Sequence, residues 1–318
     1  MAKVFLTRKI PDIGIELLKQ KHEVSIFSDQ KNPNKQQLIK NAQNADAIIS
    51  LLSDQIDEEV INKCNHLKII ANYAVGYDNI DLKVAQENNI IITNTPGVLT
   101  EATADLTWTL LLATARRIVE SDKYVRDLKF DGWGPELLLG RKTYGKTLGI
   151  IGFGRIGQAV AKRAHGFNME VLYNKRTPLA QDEESKLGAR FAELDKLLKE
   201  SDFITINASL NDSTYHLIDE KEFEKMKDNA IIVNTGRGPI VNEKALVKAL
   251  QQNKIFGAGL DVYEEEPKVN PELLELDNVI LTPHTGSATT YARNEMAKMV
   301  ANDILAAIEG KDPVNRIV

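Results

Sequence analysis

Cysteine is nearly absent. Cys64 stands alone in 318 residues, so the chain can form neither an intrachain disulfide nor a cysteine metal cluster. Aromatic residues are also scarce, at 6% with two tryptophans. No run approaches the ~18 apolar residues of a membrane-spanning helix. The stretch Met1–Ile10 lacks an apolar segment of signal-peptide length, so a cytoplasmic protein is expected. Nor is there an excess of positive charge. The net charge of −5 argues against nucleic acid or an anionic membrane as the main partner, while leaving room for a local basic site that binds a small anion. What is present is ordinary for a globular protein, 43% hydrophobic and 27% charged residues, in a chain long enough for two domains.

Short apolar runs alternate with helical patterns along most of the length, the βαβ pattern of parallel sheets with helices on both faces. The first series of runs is Val4–Thr7, Val24–Phe27, Ala47–Ser50, Lys68–Ala71 and Ile90–Thr93. Thr95-Pro-Gly97 interrupts it. A single long helix is then predicted over Glu101–Asp127, followed by a turn-rich segment, Phe130–Glu136, that carries Trp133. A second series starts at Thr147–Gly152 and continues through Glu170–Tyr173, Phe203–Asn207, Ala230–Asn234, Gly257–Asp261 and Val279–Thr282. A last helix, Thr289–Glu309, stops at Gly310 with Pro313 beyond it. The pattern therefore predicts two α/β halves, the final helix crossing back to the first.

The segment Gly152-Phe-Gly154-Arg155-Ile156-Gly157 follows an apolar strand and opens an amphipathic helix. Each glycine has a task in a dinucleotide site: a tight turn, close approach of backbone to the pyrophosphate, and close packing of helix on strand. The helix N-terminus then offers N–H groups to the phosphates. About 20 residues further on, a carboxylate usually holds the free ribose 2′-hydroxyl of NAD. This chain instead has Asn174, Lys175, Arg176 and Thr177 there, while Asp182, Glu183 and Glu184 come too late. The residues point to a 2′-phosphate, hence NADP(H) favoured over NAD(H); the bland reading is a solvated basic loop.

Of five histidines, His22, His66, His165 and His216 have structural or solvated settings. His284 follows the run Val279–Pro283 at the carboxyl end of a strand, the edge where open α/β sheets bind ligands. Arg237 lies between Gly236 and Gly238 after another strand, where a guanidinium can grip a carboxylate through two parallel bonds. Glu266 ends an acidic run, Glu264-Glu-Glu266, and by position alone Asp261 is an equally good candidate.

Taken in order, Asn72–Asp81, Asn94-Thr-Pro96, Ala102-Thr-Ala-Asp105, the glycine turn, Asn234–Ile240, Gly259–Pro267 and Pro283-His-Thr-Gly-Ser287 resemble the D-isomer-specific 2-hydroxyacid dehydrogenase family nearly end to end, above all its glyoxylate and hydroxypyruvate reductase branch. The resemblance implies two Rossmann-like, doubly wound parallel-sheet domains, one flavodoxin-like and one dinucleotide-binding, with a cleft between them. Residues 1–98, completed by 287–318, would be the substrate domain, and 99–286 the dinucleotide-binding domain. Arg237, Glu266 and His284 match the family's catalytic residues. Val75 and Gly76 match its substrate-carboxylate loop, acting with Arg237. Thr103 matches a phosphate contact and Asp261 a nicotinamide contact. Thr214, Thr235 and Gly286 complete the expected cofactor site beside Gly152–Gly157 and Lys175–Thr177.

The implied reaction is NAD(P)H-dependent reduction of a small 2-oxo acid to the D-2-hydroxy acid. His284 would donate the proton and Glu266 would favour its charged form, with no metal required. A homodimer through helix 101–127 and the arm around Trp133 is implied as well. Two departures stand out. Asn207–Thr214 replaces a segment where many members have His and Pro, with backbone contacts expected there. Leu137 stands where some reductases have a second arm tryptophan. A reading of another class is a non-catalytic dinucleotide sensor or corepressor on the same scaffold.

Overall fold

The computed structural model describes residues 1–29 and 31–318. The chain divides into two compact units, Met1–Leu99 with Ser287–Val318, and Thr100–Gly286.

In the first unit five parallel strands, β1 (Lys3–Leu6), β2 (Glu23–Ile26), β3 (Ala47–Ser50), β4 (Ile69–Asn72) and β5 (Ile91–Thr93), run in the order β2-β1-β3-β4-β5. This is the flavodoxin-like order. The central strands β3 and β4 are buried at every residue, because helices cover both faces and leave no side for polar groups. Edge strand β2 alternates exposed and half-buried residues instead. Helix Thr290–Ile308, capped by the Thr289 hydroxyl, packs against helix Asp12–Lys19. Contact is close because Gly14 has no side chain: a Cβ there would lie 2.5 Å from the Ala297 carbonyl oxygen. The C-terminal residues run antiparallel to β5, with Ile317 N–H donating to Ile92 O at 2.7 Å. Asn315 donates to the buried carboxylate of Asp303, whose pKa burial pushes up.

The second unit has seven parallel strands: β6 (Thr147–Ile151), β7 (Glu170–Asn174), β8 (Ala189–Phe191), β9 (Phe203–Ile206), β10 (Ile231–Asn234), β11 (Gly257–Leu260) and β12 (Val279–Leu281). Their order is β12-β11-β10-β9-β6-β7-β8. The chain winds outward one way from β6 to β8 and the other way from β9 to β12. The switch point, where α/β sheets bind ligands, therefore lies between β6 and β9. One core holds Leu197, Leu198, Phe223, Leu246 and Leu250, and the other holds Trp108, Leu111, Val160 and Tyr173. Burying each such side chain contributes roughly 1.5–3 kcal/mol. Trp108 stacks on Phe167 at 4.7 Å and donates its indole N–H to Val160 O.

The single helix expected over Glu101–Asp127 is instead two, Thr100–Ala115 and Ile118–Arg126. The Ala115 carbonyl accepts the distant Arg141 N–H at 2.7 Å, a tertiary contact that takes over from the next turn of helix. Arg117 turns into the left-handed region at φ +50°, and its guanidinium grips Glu120 through two bonds of 2.8 and 2.6 Å.

Candidate active site

In the second unit the predicted site residues follow the carboxyl ends of the strands, except Thr103, which lies on helix Thr100–Ala115. At the switch point, Gly152 has φ +89°, and a Cβ there would lie 2.4 Å from the Ala208 amide nitrogen. A Cβ at Gly157 would lie 2.3 Å from Gly152 O, so only glycine lets helix Arg155–Ala164 close on the turn. A Cβ at Gly154 would meet nothing within 4 Å. Gly154 is the helix N-cap and supplies no side-chain cap, leaving the first-turn N–H groups to an outside acceptor. A backbone cradle with an open face and uncapped donors fits the pyrophosphate of a dinucleotide. Arg155 is exposed beside it and Ile156 half-buried.

Beyond β7, Lys175 is half-buried while Arg176 and Thr177 are exposed. Among the described residues, neither cation has an ion-pair partner. The acids that follow are engaged elsewhere: Asp182 pairs with Lys186, and Glu184 accepts from the Tyr173 hydroxyl and from Phe191 N–H.

Thr235, after β10, shares a 2.8 Å hydroxyl contact with Thr107 and accepts from the Asn207 side chain at 3.0 Å. The Asn207 side chain thus ties this segment to Thr235, and its carbonyl oxygen is buried without a partner among the described residues. Thr107 in turn donates to Thr103 O. Thr214 is spent on its own turn, donating to Ser209 O and accepting from Asn211 N–H.

Arg237 leaves β10 in a loop fixed by Asn234, whose side chain donates to Arg237 O and accepts from Gly236 N–H. A Cβ at Gly238 would fall 1.8 Å from Tyr263 O, so this loop lies directly on the one after β11. That second loop carries three glutamates with three different fates. Glu264 takes the His216 Nε2 at 2.5 Å and the Glu243 N–H at 3.1 Å. Glu265 is exposed. Glu266 Oε2 meets His284 Nδ1 at 2.8 Å, and its other oxygen accepts Tyr263 N–H. With a carboxylate at Nδ1, that nitrogen carries the proton, and Nε2 is left to exchange a proton with a substrate. The two side chains are 25% and 28% exposed, open enough to reach a ligand.

His284 itself sits at φ +52°, a strained backbone for a non-glycine residue. Asp261 holds it there. The Asp261 carbonyl accepts His284 N–H at 2.9 Å. Its carboxylate accepts Thr285 N–H and Gly286 N–H, each at 2.7 Å, and both the Thr282 and Thr285 hydroxyls. Asp261 is 1% exposed, and its carboxylate already accepts four hydrogen bonds, three on Oδ1 and one on Oδ2. A Cβ at Gly286 would stand 3.3 Å from both Asp261 Oδ2 and Thr103 Cγ2, so these three expected cofactor residues do converge.

Val75 and Gly76 belong to the first unit, after β4. Thr95 N–H donates to Ala74 O at 2.9 Å, and the Asn94 side chain donates to Val75 O at 2.7 Å. In a trans peptide the N–H points opposite to the preceding C=O, so the N–H groups of Val75 and Gly76 both face away from these donors.

A glycine cradle at the switch point and a carboxylate-backed histidine along the same strand edge are the equipment of a dinucleotide-dependent oxidoreductase. Comparison with known proteins gives the family. Residues 108–286 match the NAD binding domain of the D-isomer specific 2-hydroxyacid dehydrogenases, and the chain belongs to that family. It is 50% identical over 319 residues to glyoxylate reductase of Thermococcus litoralis, covering 99% of this chain and 96% of that one. Among solved structures it is similar to a glyoxylate reductase from Paecilomyes thermophila (34% identity, TM-score 0.89, covering 99% and 98% of the two chains). It is also similar to the NADPH-dependent glyoxylate/hydroxypyruvate reductase of Sinorhizobium meliloti bound to NADP and malonate (29%, TM-score 0.89, covering 100% and 97%).

Proposed function

We propose that this protein reduces a small 2-oxo acid of the glyoxylate or hydroxypyruvate kind to the D-2-hydroxy acid, with NADP(H) favoured over NAD(H) and His284 as the proton donor. The His284–Glu266 pair at 2.8 Å carries the proposal, because it leaves Nε2 as the one nitrogen able to deliver a proton. The names of the relatives support the substrate class, and the basic loop after β7 supports the cofactor. When bound, the nicotinamide supplies the hydride for C2 of the substrate.

The protein does the rest. Arg237 holds a substrate carboxylate by its two-pronged guanidinium and draws charge from the ketone. The Val75 and Gly76 N–H groups serve as carboxylate donors of the first unit. His284 Nε2 protonates the ketone oxygen, and Glu266 stabilises the imidazolium before it gives up that proton. The cradle Gly152–Gly157 holds the pyrophosphate with Thr103 as a further phosphate contact, Thr235 and Gly286 border the nicotinamide half, and Lys175, Arg176 and Thr177 border the adenosine half.

The active form is proposed to be a homodimer. Helix Ile118–Arg126 has no buried residue of its own, and Ile118, Val125, Leu128, Phe130, Trp133 and Leu139 are all exposed, Trp133 at 85%. So many exposed apolar side chains within residues 118–139 call for a cover, and a second copy of the chain supplies one. A cavity of about 590 Å³, lined by Arg117, Val119, Arg141 and Phe256, adjoins this helix at the opposite ends of the strands from His284.

The test is NADPH consumption with glyoxylate, hydroxypyruvate and pyruvate, in wild type and His284→Ala. The variant should lose ~100-fold or more in kcat, the scale of general acid catalysis, with little change in NADPH binding. Near-normal turnover in the variant would place the acid elsewhere. No consumption by wild type with any of the three acids would refute the substrate class.

A further inference from the structure

We propose that Tyr173 and Glu184 are positioning residues for cofactor choice, clamping the loop Lys175–Pro178 in the shape that presents Lys175 and Arg176 to a 2′-phosphate. The inference rests on the NADP(H) preference proposed above. Tyr173 is the last inward residue of β7 and is fully buried. Its ring stacks on Phe153 of the glycine turn at 4.1 Å and meets Phe191 edge-on at 5.7 Å. The ring is therefore locked between the pyrophosphate cradle and edge strand β8.

From that fixed ring the hydroxyl reaches past its own strand end. It donates to Glu184 Oε1 at 2.7 Å and accepts Leu179 N–H at 2.8 Å. Glu184 is pinned in turn by Phe191 N–H at 3.0 Å. At the other end of the loop, the Asn174 side chain donates to Ala192 O at 2.9 Å. Four residues, 175 to 178, thus span two side-chain anchors, and among the described residues Lys175, Arg176 and Thr177 donate no backbone hydrogen bond of their own. The anchors are what give the loop a defined shape.

Two consequences follow for a dinucleotide. A loop ordered in advance does not have to be ordered by the ligand, and this raises affinity for the group the loop contacts. The Glu184 carboxylate, too far along the chain to meet the ribose, is engaged by the Tyr173 hydroxyl and Phe191 N–H and acts only through the clamp. Burial, together with Glu184 as hydrogen-bond partner, raises the Tyr173 pKa to about 12, so the hydroxyl stays a donor at any working pH. The adenosine 2′-position is the only part of the cofactor that differs between NADP and NAD, so loss of the clamp should register on NADP alone.

Calorimetric titration of the cofactor-free protein with NADP⁺ and NAD⁺ tests this without relying on turnover. Tyr173→Phe keeps the ring and its stacking while removing the hydroxyl. Although the hydroxyl's two hydrogen bonds are both lost, the cofactor feels them only through the loop, so NADP⁺ binding should weaken about tenfold and NAD⁺ binding less than about twofold. Exchange of the Leu179 amide proton should quicken. Glu184→Ala should copy this effect. Glu184→Gln, which keeps an acceptor for both donors, should restore NADP⁺ binding. If Tyr173→Phe weakens both dinucleotides equally, or leaves the NADP⁺ preference of wild type intact, the positioning role is refuted. If wild type itself binds NAD⁺ as tightly as NADP⁺, the cofactor reading fails first and the inference falls with it.

Discussion

Asp261→Asn is a near-isosteric change with a cost that can be worked from the geometry. The carboxylate accepts from Thr282 Oγ1, Thr285 N–H and Thr285 Oγ1 on Oδ1, and from Gly286 N–H on Oδ2. An asparagine must turn one of these oxygens into an NH₂ group, which can only donate. Placed at Oδ1 it would face three donors. Placed at Oδ2 it faces one, Gly286 N–H at 2.7 Å, so the second orientation prevails. One buried N–H is then left without an acceptor, costing about 1–3 kcal/mol. For a unit of this size each kcal/mol lowers melting by about 2–4 °C, so a fall of roughly 2–12 °C is expected. Activity should suffer more than stability. The same bonds hold His284 at φ +52°, and a shift of about 1 Å in a catalytic group can cost a hundredfold. The assay is thermal unfolding by circular dichroism together with steady-state kcat, and NADP⁺ binding as the control. Unchanged melting with unchanged kcat would show that the Asp261 bonds neither hold the loop nor place the histidine.

Arg237→Lys keeps the charge but loses the paired geometry; KM for the 2-oxo acid should rise while kcat falls, and an unchanged KM would remove Arg237 from the carboxylate. Trp133→Ala removes the most exposed ring of the arm and should weaken the dimer, read by sedimentation at low protein concentration; association as tight as wild type would count against its role as an anchor. The NADPH preference, expected at tenfold to a hundredfold from ~1.5–3 kcal/mol of charge-assisted contacts, should shrink as salt is raised, since Arg176 is exposed. A preference insensitive to salt would point to shape and not charge.

The glycine turn was legible because its requirements are local. A strand, a left-handed turn and a helix N-terminus follow one another within a few residues, and each glycine answers a backbone constraint that its neighbours create. The final helix and eleven of the twelve strands were legible for the same reason, since apolar spacing reports burial directly; β8 (Ala189–Phe191) was not, because three residues with a mixed burial pattern at the sheet edge leave no apolar run to read. The kink at Arg117 was not, because the donor that ends the preceding helix, Arg141 N–H, arrives from beyond the arm. A periodic pattern can continue across such a break.

The acidic candidates divide along the same line. Sequence position could not separate Asp261 from Glu266, nor Glu266 from Glu264; a resemblance was needed to choose. In the folded unit the three carboxylates differ by what faces them. Asp261 meets backbone N–H groups, Glu264 meets His216 and the start of helix Glu243–Gln251, and Glu266 meets the imidazole of His284. By itself the sequence determined which segments fold, where the dinucleotide cradle forms and which strand ends bear reactive groups, because those follow from contacts between near neighbours in the chain. Only the tertiary structure decided which carboxylate backs the histidine and which one holds its loop, because a side chain's partner depends on strands adjacent in the sheet and not in the sequence.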